Sequence, residues 1–192
     1  SDCYDLVIVG AGVSGMLVLD AFQPKSQENA VVDPTFSGSD LGVKWGPIKS
    51  NTSAKQVRDA LRSVPRFASD ASLELDAYRD AEHVPLHVFA SDVGRLAAPL
   101  LDAAECIIDK IVKIEHKESE FILYSADHGE IYSRRIVLCT GATPKMLDIS
   151  RPTIPLEIAF EPVRLKRIVK PGDCITIFGC SHSGILAIKN AH

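Results

Sequence analysis

Gly10, Gly12 and Gly15 stand at the spacing of a GxGxxG loop. They lie between an unbroken apolar run at residues 6–9 and an apolar, helix-compatible stretch at 16–22. The chemistry that needs this spacing is the binding of a pyrophosphate. The first glycine permits a tight turn, the second lets phosphates approach bare backbone, and the third lets the helix pack close to the strand. N–H groups at the start of the helix, those of Val13 and Ser14 among them, then face the anion with the helix dipole behind them. Asp33 ends the next short apolar run, 18 residues after Gly15, close to where a carboxylate is expected to take ribose hydroxyls. Without a ligand the same residues read as a glycine turn that packs a helix, with Asp33 opening an Asp-Pro turn. A less perfect copy follows the run at 173–178. Gly179, Ser183 and Gly184 are in place, but Cys180-Ser181-His182 replaces the middle glycine.

Other reactive side chains form no comparable pattern. His83 and His87 have the spacing of ligands on one helical face, but Pro85 lies between them and no third ligand is near. His116 and His128 read as surface residues. Cys174 and Cys180 are separated by about 20 Å of extended chain, too far for a disulfide. Cys139 reads as a small core residue. No Ser/His/Asp elbow and no paired carboxylates stand out.

The elements that must position the loops read as follows. Residues 5–9, 30–33 and 135–139 have the continuous apolar character of strands buried on both faces of a parallel sheet. Strand, glycine turn, helix and strand over residues 5–33 make a βαβ unit. Residues 37–51 read as loop and 53–64 as helix, with Ala54, Val57, Leu61 and Val64 at helical spacing. Residues 65–85 read as a polar surface excursion and 86–90 as a short strand or extended segment. A helix is expected over 91–101, capped by Ser91 or Asp92. Strands at 107–115, 120–125 and 130–133, with a turn at Asp127-His128-Gly129, predict an antiparallel meander laid on the parallel sheet. A short helix at 162–169, a strand at 173–178 and a helix start at 185–188 complete the pattern.

The 192 residues are 46% apolar and 24% charged, the composition of an ordinary globular domain, and the net charge is −4. A chain of this length buries about two-thirds of its unfolded surface without disulfides or metal. The acidic balance argues against nucleic acid as a partner. Five cysteines with no CxxC point to reduced usage and a cytoplasmic setting. The apolar stretch at residues 6–19 is too short to span a bilayer, and the acids Asp2 and Asp5 precede it, so neither a membrane nor a targeting segment is expected.

At the two glycine loops, at the strand ending in Cys139-Thr140-Gly141 and at Trp45-Gly-Pro-Ile-Lys-Ser-Asn51, the chain resembles the flavoproteins with two dinucleotide-binding domains. The flavin-containing and Baeyer–Villiger-type monooxygenases are most similar, with ornithine hydroxylases and disulfide reductases further away. The resemblance implies an FAD site on Gly10, Gly12, Val13, Ser14, Gly15 and Asp33, with Thr140 and Gly141 on the flavin side. It implies a second site, for NADPH or NADH, on Gly179, Ser183 and Gly184. The family role carried onto Asn51 is contact with flavin and nicotinamide and protection of a flavin hydroperoxide, which calls for neutral hydrogen-bonding groups and exclusion of water. Asn51 reads equally well as a turn or cap residue before the helix near Ser53. Trp45 either covers the flavin ring or packs in the core.

The chain departs from the family in three places. Ser37-Gly38 stands for the usual paired glycines, the second loop lacks its middle glycine, and the redox-active cysteine pair of the disulfide reductases has no counterpart. An arginine that would read a 2′-phosphate is expected beyond His192. The expected architecture is α/β: a Rossmann-like FAD-binding domain with parallel sheet and β-meander over 1–150, a crossing segment over 151–171, and the opening of an NAD(P)-binding domain over 172–192. The implied activity is an FAD- and NAD(P)H-dependent oxidation of a small-molecule substrate, of monooxygenase type. The chain would be a fragment or a shortened relative whose second site is completed by a remaining domain or a partner chain. The alternative is a nucleotide-binding or structural protein without turnover.

Overall fold

A computed structural model describes residues 3–22, 28–36, 40–64, 72–142, 146, 148–179 and 182–192. The chain divides into two units, Ser1–Gly141 and Ala142–His192.

The first unit is built on a four-stranded parallel sheet. β1 (Leu6–Val9) pairs with β2 (Asn29–Asp33) on one side and with β9 (Ile136–Leu138) on the other. β2 pairs with β5 (Glu105–Ile108), giving the order β5-β2-β1-β9. The runs of β1 and β2 sit in the centre because both faces of these strands are covered, whereas β9 is an edge strand with Leu138 exposed, which corrects the reading of 135–139 as buried on both faces. Leu6, Ile8 and Val31 face a core shared with Met16 and Leu19 of α1 (Val13–Phe22) and with Val88, Val93, Ala97 and Leu100 of α4 (Leu86–Leu101). Val7, Val9, Ala30 and Val32 alternate onto the other face and meet Leu123 and Ile131. Those two belong to the antiparallel meander of β6 (Ile111–Lys117), β7 (Glu120–Ser125) and β8 (Glu130–Ser133). The meander therefore lies on the parallel sheet as its spacing predicts. Each fully buried Leu, Ile or Val contributes about 1.5–3 kcal/mol, so both layers stabilise the β1–β2 pair that carries the first glycine loop.

Further expectations for the first unit are corrected. Residues 107–115 are two strands, because the chain turns at Asp109-Lys110 and leaves the parallel sheet for the meander. Residues 86–90 are helical and belong to α4, which starts after Pro85, so neither Ser91 nor Asp92 is its cap. Asp92 lies inside α4, fully buried, and its carboxylate accepts the N–H groups of Glu74 (2.8 Å) and Leu75 (3.0 Å). It caps a 3-10 turn, Glu74–Ala77, in a different part of the chain. That turn corrects the reading of 65–85 as a surface excursion, since Leu75 is 0% exposed. Arg58 of α3 (Ala54–Ser63) pins the same turn by donating to the carbonyls of Leu75 (2.6 Å) and Tyr78 (3.0 Å) and to Asp80. The stretch read as loop at 37–51 contains α2 (Asp40–Val43) and the start of β3 (Lys49–Ser53), which pairs antiparallel with β4 (His83–Pro85).

The second unit contains α5 (Leu156–Ala159), α6 (Pro162–Ile168) and α7 (His182–Ala191). The strand expected at 173–178 is not one: the segment joins no ladder among the described residues, and Ile175 and Phe178 are exposed. A parallel strand exists only by pairing, and the described part of this unit offers no second strand. Ser37-Gly38, Thr143-Pro144, Cys180-Ser181 and residues 65–71 fall outside the described residues.

Candidate functional site

The first glycine loop connects β1 to α1, and its geometry explains two of its glycines. Gly10 has φ +107°, a backbone conformation that favours glycine. A Cβ there would also fall inside 3.0 Å of the Cys139 carbonyl, where β9 ends. A Cβ on Gly15 would fall inside 3.0 Å of the Gly10 carbonyl oxygen. The loop, the helix and the end of β9 are thus in backbone contact. Gly12 supplies the first helical acceptor, its carbonyl taking the Met16 N–H at 3.0 Å. The N–H groups of Val13, Ser14 and Gly15 have no acceptor four residues back, as in the first turn of any helix. They are the donors an anion would meet.

Asp33 is fixed beside this loop. Its Oδ2 accepts the Ala11 N–H at 2.8 Å. Its Oδ1 accepts the N–H groups of Thr35 (2.9 Å) and Phe36 (2.8 Å), and the Thr35 hydroxyl at 3.3 Å. Partial burial pushes the Asp33 carboxyl up, but the hydrogen bonds from Ala11, Thr35 and Phe36 outweigh it and hold the group below its ordinary value. The result is a charged, half-buried and oriented carboxylate. Oδ2, with one donor, keeps capacity for another, such as a sugar hydroxyl.

The end of β9 is brought to the same place. The Cys139 N–H bonds Val9 at 2.7 Å, and the Thr140 nitrogen lies 3.3 Å from the position of a Gly10 Cβ. Thr140 and Gly141 are exposed. Asn51 lies on β3 and is exposed. It is not the cap of α3: that is Ser53, in a capping box with Gln56. The segment leading to Asn51 is held by the His83 ring on the Ser50 carbonyl (2.8 Å) and the His87 ring on the Gly46 carbonyl (3.0 Å). Leu86 N–H adds a bond to Ile48 at 2.8 Å. Trp45 is half-buried, and its carbonyl accepts from Ile48. Among the described residues no backbone hydrogen bond joins the Trp45–Asn51 segment to the first loop.

The second loop repeats the first in its own unit. Gly179 has φ +98°, and a Cβ on Gly184 would fall inside 3.0 Å of the Gly179 carbonyl oxygen. The closure of loop on helix therefore survives without a middle glycine. Ser183 is half-buried in the first turn of α7. Unlike Gly10, Gly179 has no described neighbour within 4 Å of where a Cβ would stand.

The sequence reading missed one cluster. Asp109, with its side chain 1% exposed, accepts the N–H groups of Lys110 (2.6 Å), Asp127 (3.0 Å) and His128 (2.9 Å), and the His128 ring nitrogen Nδ1 lies 2.8 Å away. Burial pushes this carboxyl up, but the His128 ring and these N–H groups hold it far below the ordinary range. His128 is exposed, as its turn position implied, and its ring is also tied to Asp109. Only the Asp-His-Gly turn was visible beforehand. No group of three or more His, Cys, Asp or Glu residues suited to a metal occurs among the described residues. No helix among them is long and apolar enough to cross a membrane.

No known family's sequence profile matches the chain. It is 24% identical to the monooxygenase AgnR1 of Paecilomyces divaricatus over 96% of its own length and 54% of that protein's. The chain thus spans about half the length of the curated relative it matches. Among solved structures, OTEMO in complex with FAD and NADP superposes with a TM-score of 0.57 at 14% identity, covering 79% of this chain and 28% of that one. The bacillithiol disulfide reductase Bdr of Staphylococcus aureus gives 0.51 at 9% identity, covering 73% and 39%. With its parallel sheet, its glycine loop and its meander, the chain has the Rossmann-type fold of the FAD- and NAD(P)-binding flavoproteins.

Proposed function

We propose that the first unit binds FAD and that the whole protein is an NAD(P)H-dependent flavin monooxygenase acting on a small-molecule substrate. The observation that carries this reading is the first loop. Gly10 and Gly15 are pressed against backbone, the first helix N–H groups have no acceptor four residues back, and Asp33 is oriented beside them with acceptor capacity left. Gly10, Gly12, Val13, Ser14 and Gly15 would cradle the pyrophosphate, and Asp33 would hold the adenosine ribose. Thr140 and Gly141 would line the exit of the chain past the flavin, with Trp45 against it. Bound FAD would supply two-electron chemistry, passing reducing equivalents from the nicotinamide to oxygen.

Asn51 would present a neutral amide to the reacting edge, able to donate and accept hydrogen bonds without adding a strong acid. Gly179, Ser183 and Gly184 would take the nicotinamide cofactor, NADPH or NADH, with the rest of that site supplied by further protein, in the same chain or a partner. The dispersed free cysteines (Cys3, Cys106, Cys139 and Cys174) favour a cytoplasmic setting.

The unpaired segment at 173–178 favours a second reading for this chain by itself: nucleotide binding without turnover. Titration of the purified chain with FAD separates the readings. Saturable uptake that turns the protein yellow supports the FAD site, and failure to take up FAD sinks it. Anaerobic bleaching of the bound flavin by NADPH supports turnover, whereas flavin that stays oxidised supports binding alone.

A further inference from the structure

The Asp109 cluster lies one residue beyond β5, and β5 pairs directly with the strand that carries Asp33. We propose that Asp109 and His128 are positioning residues for the adenosine end of the nucleotide site, which rests on the FAD reading above. The end of β2 is held from two sides. From β1, Gly10 N–H bonds the Val32 carbonyl (2.8 Å) and Ala11 N–H bonds Asp33 Oδ2 (2.8 Å). From the other side, Asp109 N–H bonds the Asp33 carbonyl at 3.2 Å.

That second hold hangs on a weak support. β5 has four residues, forms the edge of the sheet and exposes Glu105, Cys106 and Ile108. An edge strand this short frays unless its end is tied down. The buried Asp109 carboxylate ties it to the β7–β8 turn through Asp127 N–H, His128 N–H and His128 Nδ1. Ala126 N–H adds a bond to the Lys110 carbonyl at 3.0 Å. The His128 ring is 58% exposed, so its removal opens no cavity in the core. His128→Ala deletes the Nδ1 bond and keeps the two backbone N–H bonds, which makes it a mild cut in the latch.

The test measures the Kd of ADP and of FAD by titration calorimetry on the full chain, at a temperature where circular dichroism shows each variant folded. His128→Ala is expected to weaken both ligands by the same factor, about five- to tenfold, the order of one ordinary hydrogen bond. His128→Asn, whose amide N–H replaces the Nδ1 donor, is expected to restore both to within about twofold, unlike His128→Gln. Ser53→Ala, which removes the α3 cap and lowers Tm, is expected to leave both Kd values unchanged. The proposal is overturned if folded His128→Ala binds ADP as tightly as wild type, if only FAD and not ADP is weakened, or if Ser53→Ala loses as much. A wild-type chain that binds neither ADP nor FAD refutes the nucleotide reading itself.

Discussion

Gly15→Ala is the substitution on which the structure commits itself most firmly. The new methyl would lie inside 3.0 Å of the Gly10 carbonyl oxygen, whereas ordinary contact begins at 3.4 Å. The oxygen cannot retreat, because Gly10 is itself in backbone contact with Cys139 at the end of β9. The movement therefore falls on α1, which would be levered away from the sheet and would loosen Met16 and Leu19, both buried in the main core. Overpacking of this kind costs about 1–3 kcal/mol when side chains can give way, and this case belongs at the upper end because only backbone is available to move. At about 2–4 °C per kcal/mol for a unit of this size, the expected fall in Tm is roughly 6–12 °C. Gly94→Ala is the control. It lies inside α4 with nothing within 4 Å of its Cβ position, so it should stabilise the chain by about 0.5–1 kcal/mol. Urea unfolding followed by far-ultraviolet circular dichroism reads both variants. A Gly15→Ala protein with wild-type Tm and urea midpoint would show that the loop and helix are not in backbone contact, and the pyrophosphate cradle would go with it.

Three further outcomes follow from the same contacts. Asp33→Asn turns one carboxylate oxygen into a donor, so either Ala11 N–H or the Thr35 and Phe36 N–H groups lose an acceptor; a loss of about 1–3 kcal/mol in urea unfolding and of FAD affinity is expected, and retention of both would contradict the assigned geometry. Asp33 and Asp109 both titrate lower in the fold than the ordinary carboxylate value of 3.8, so each adds stability that is fully present above that value and is lost as pH falls below it; urea midpoints should hold from about pH 7 to 5 and fall below about pH 4, with Asp109→Asn flattening the fall. Arg58→Met removes the side-chain donor from the Leu75 carbonyl, which keeps the Tyr78 N–H, and from the Tyr78 carbonyl, and should cost about 1–3 kcal/mol, read as raised proteolysis of residues 72–80; unchanged protection would remove Arg58 from its pinning role.

The sequence by itself determined what depends on short-range pattern. Unbroken apolar runs marked β1, β2 and β9, because a strand covered on both faces favours apolar residues throughout, although β9 proves to lie at the sheet edge. The GxGxxG spacing marked the first loop, because backbone packing and anion approach both demand missing side chains there. β7, β8 and α3 were legible for the same reason: turn signals and helical spacing are set within a few residues. Tertiary structure decided whatever depends on a distant partner. Residues 173–178 have strand composition, yet a ladder needs a neighbour, and the described residues of that unit supply none. Asp92 looked like the cap of its own helix and instead caps a turn 17–18 residues earlier. Asp109 and His128 had no signal in common, since they lie 19 residues apart and meet only where the edge of the parallel sheet touches the meander turn. Buried carboxylates must find donors, but which donors they find is fixed by the packing of layers and not by local spacing.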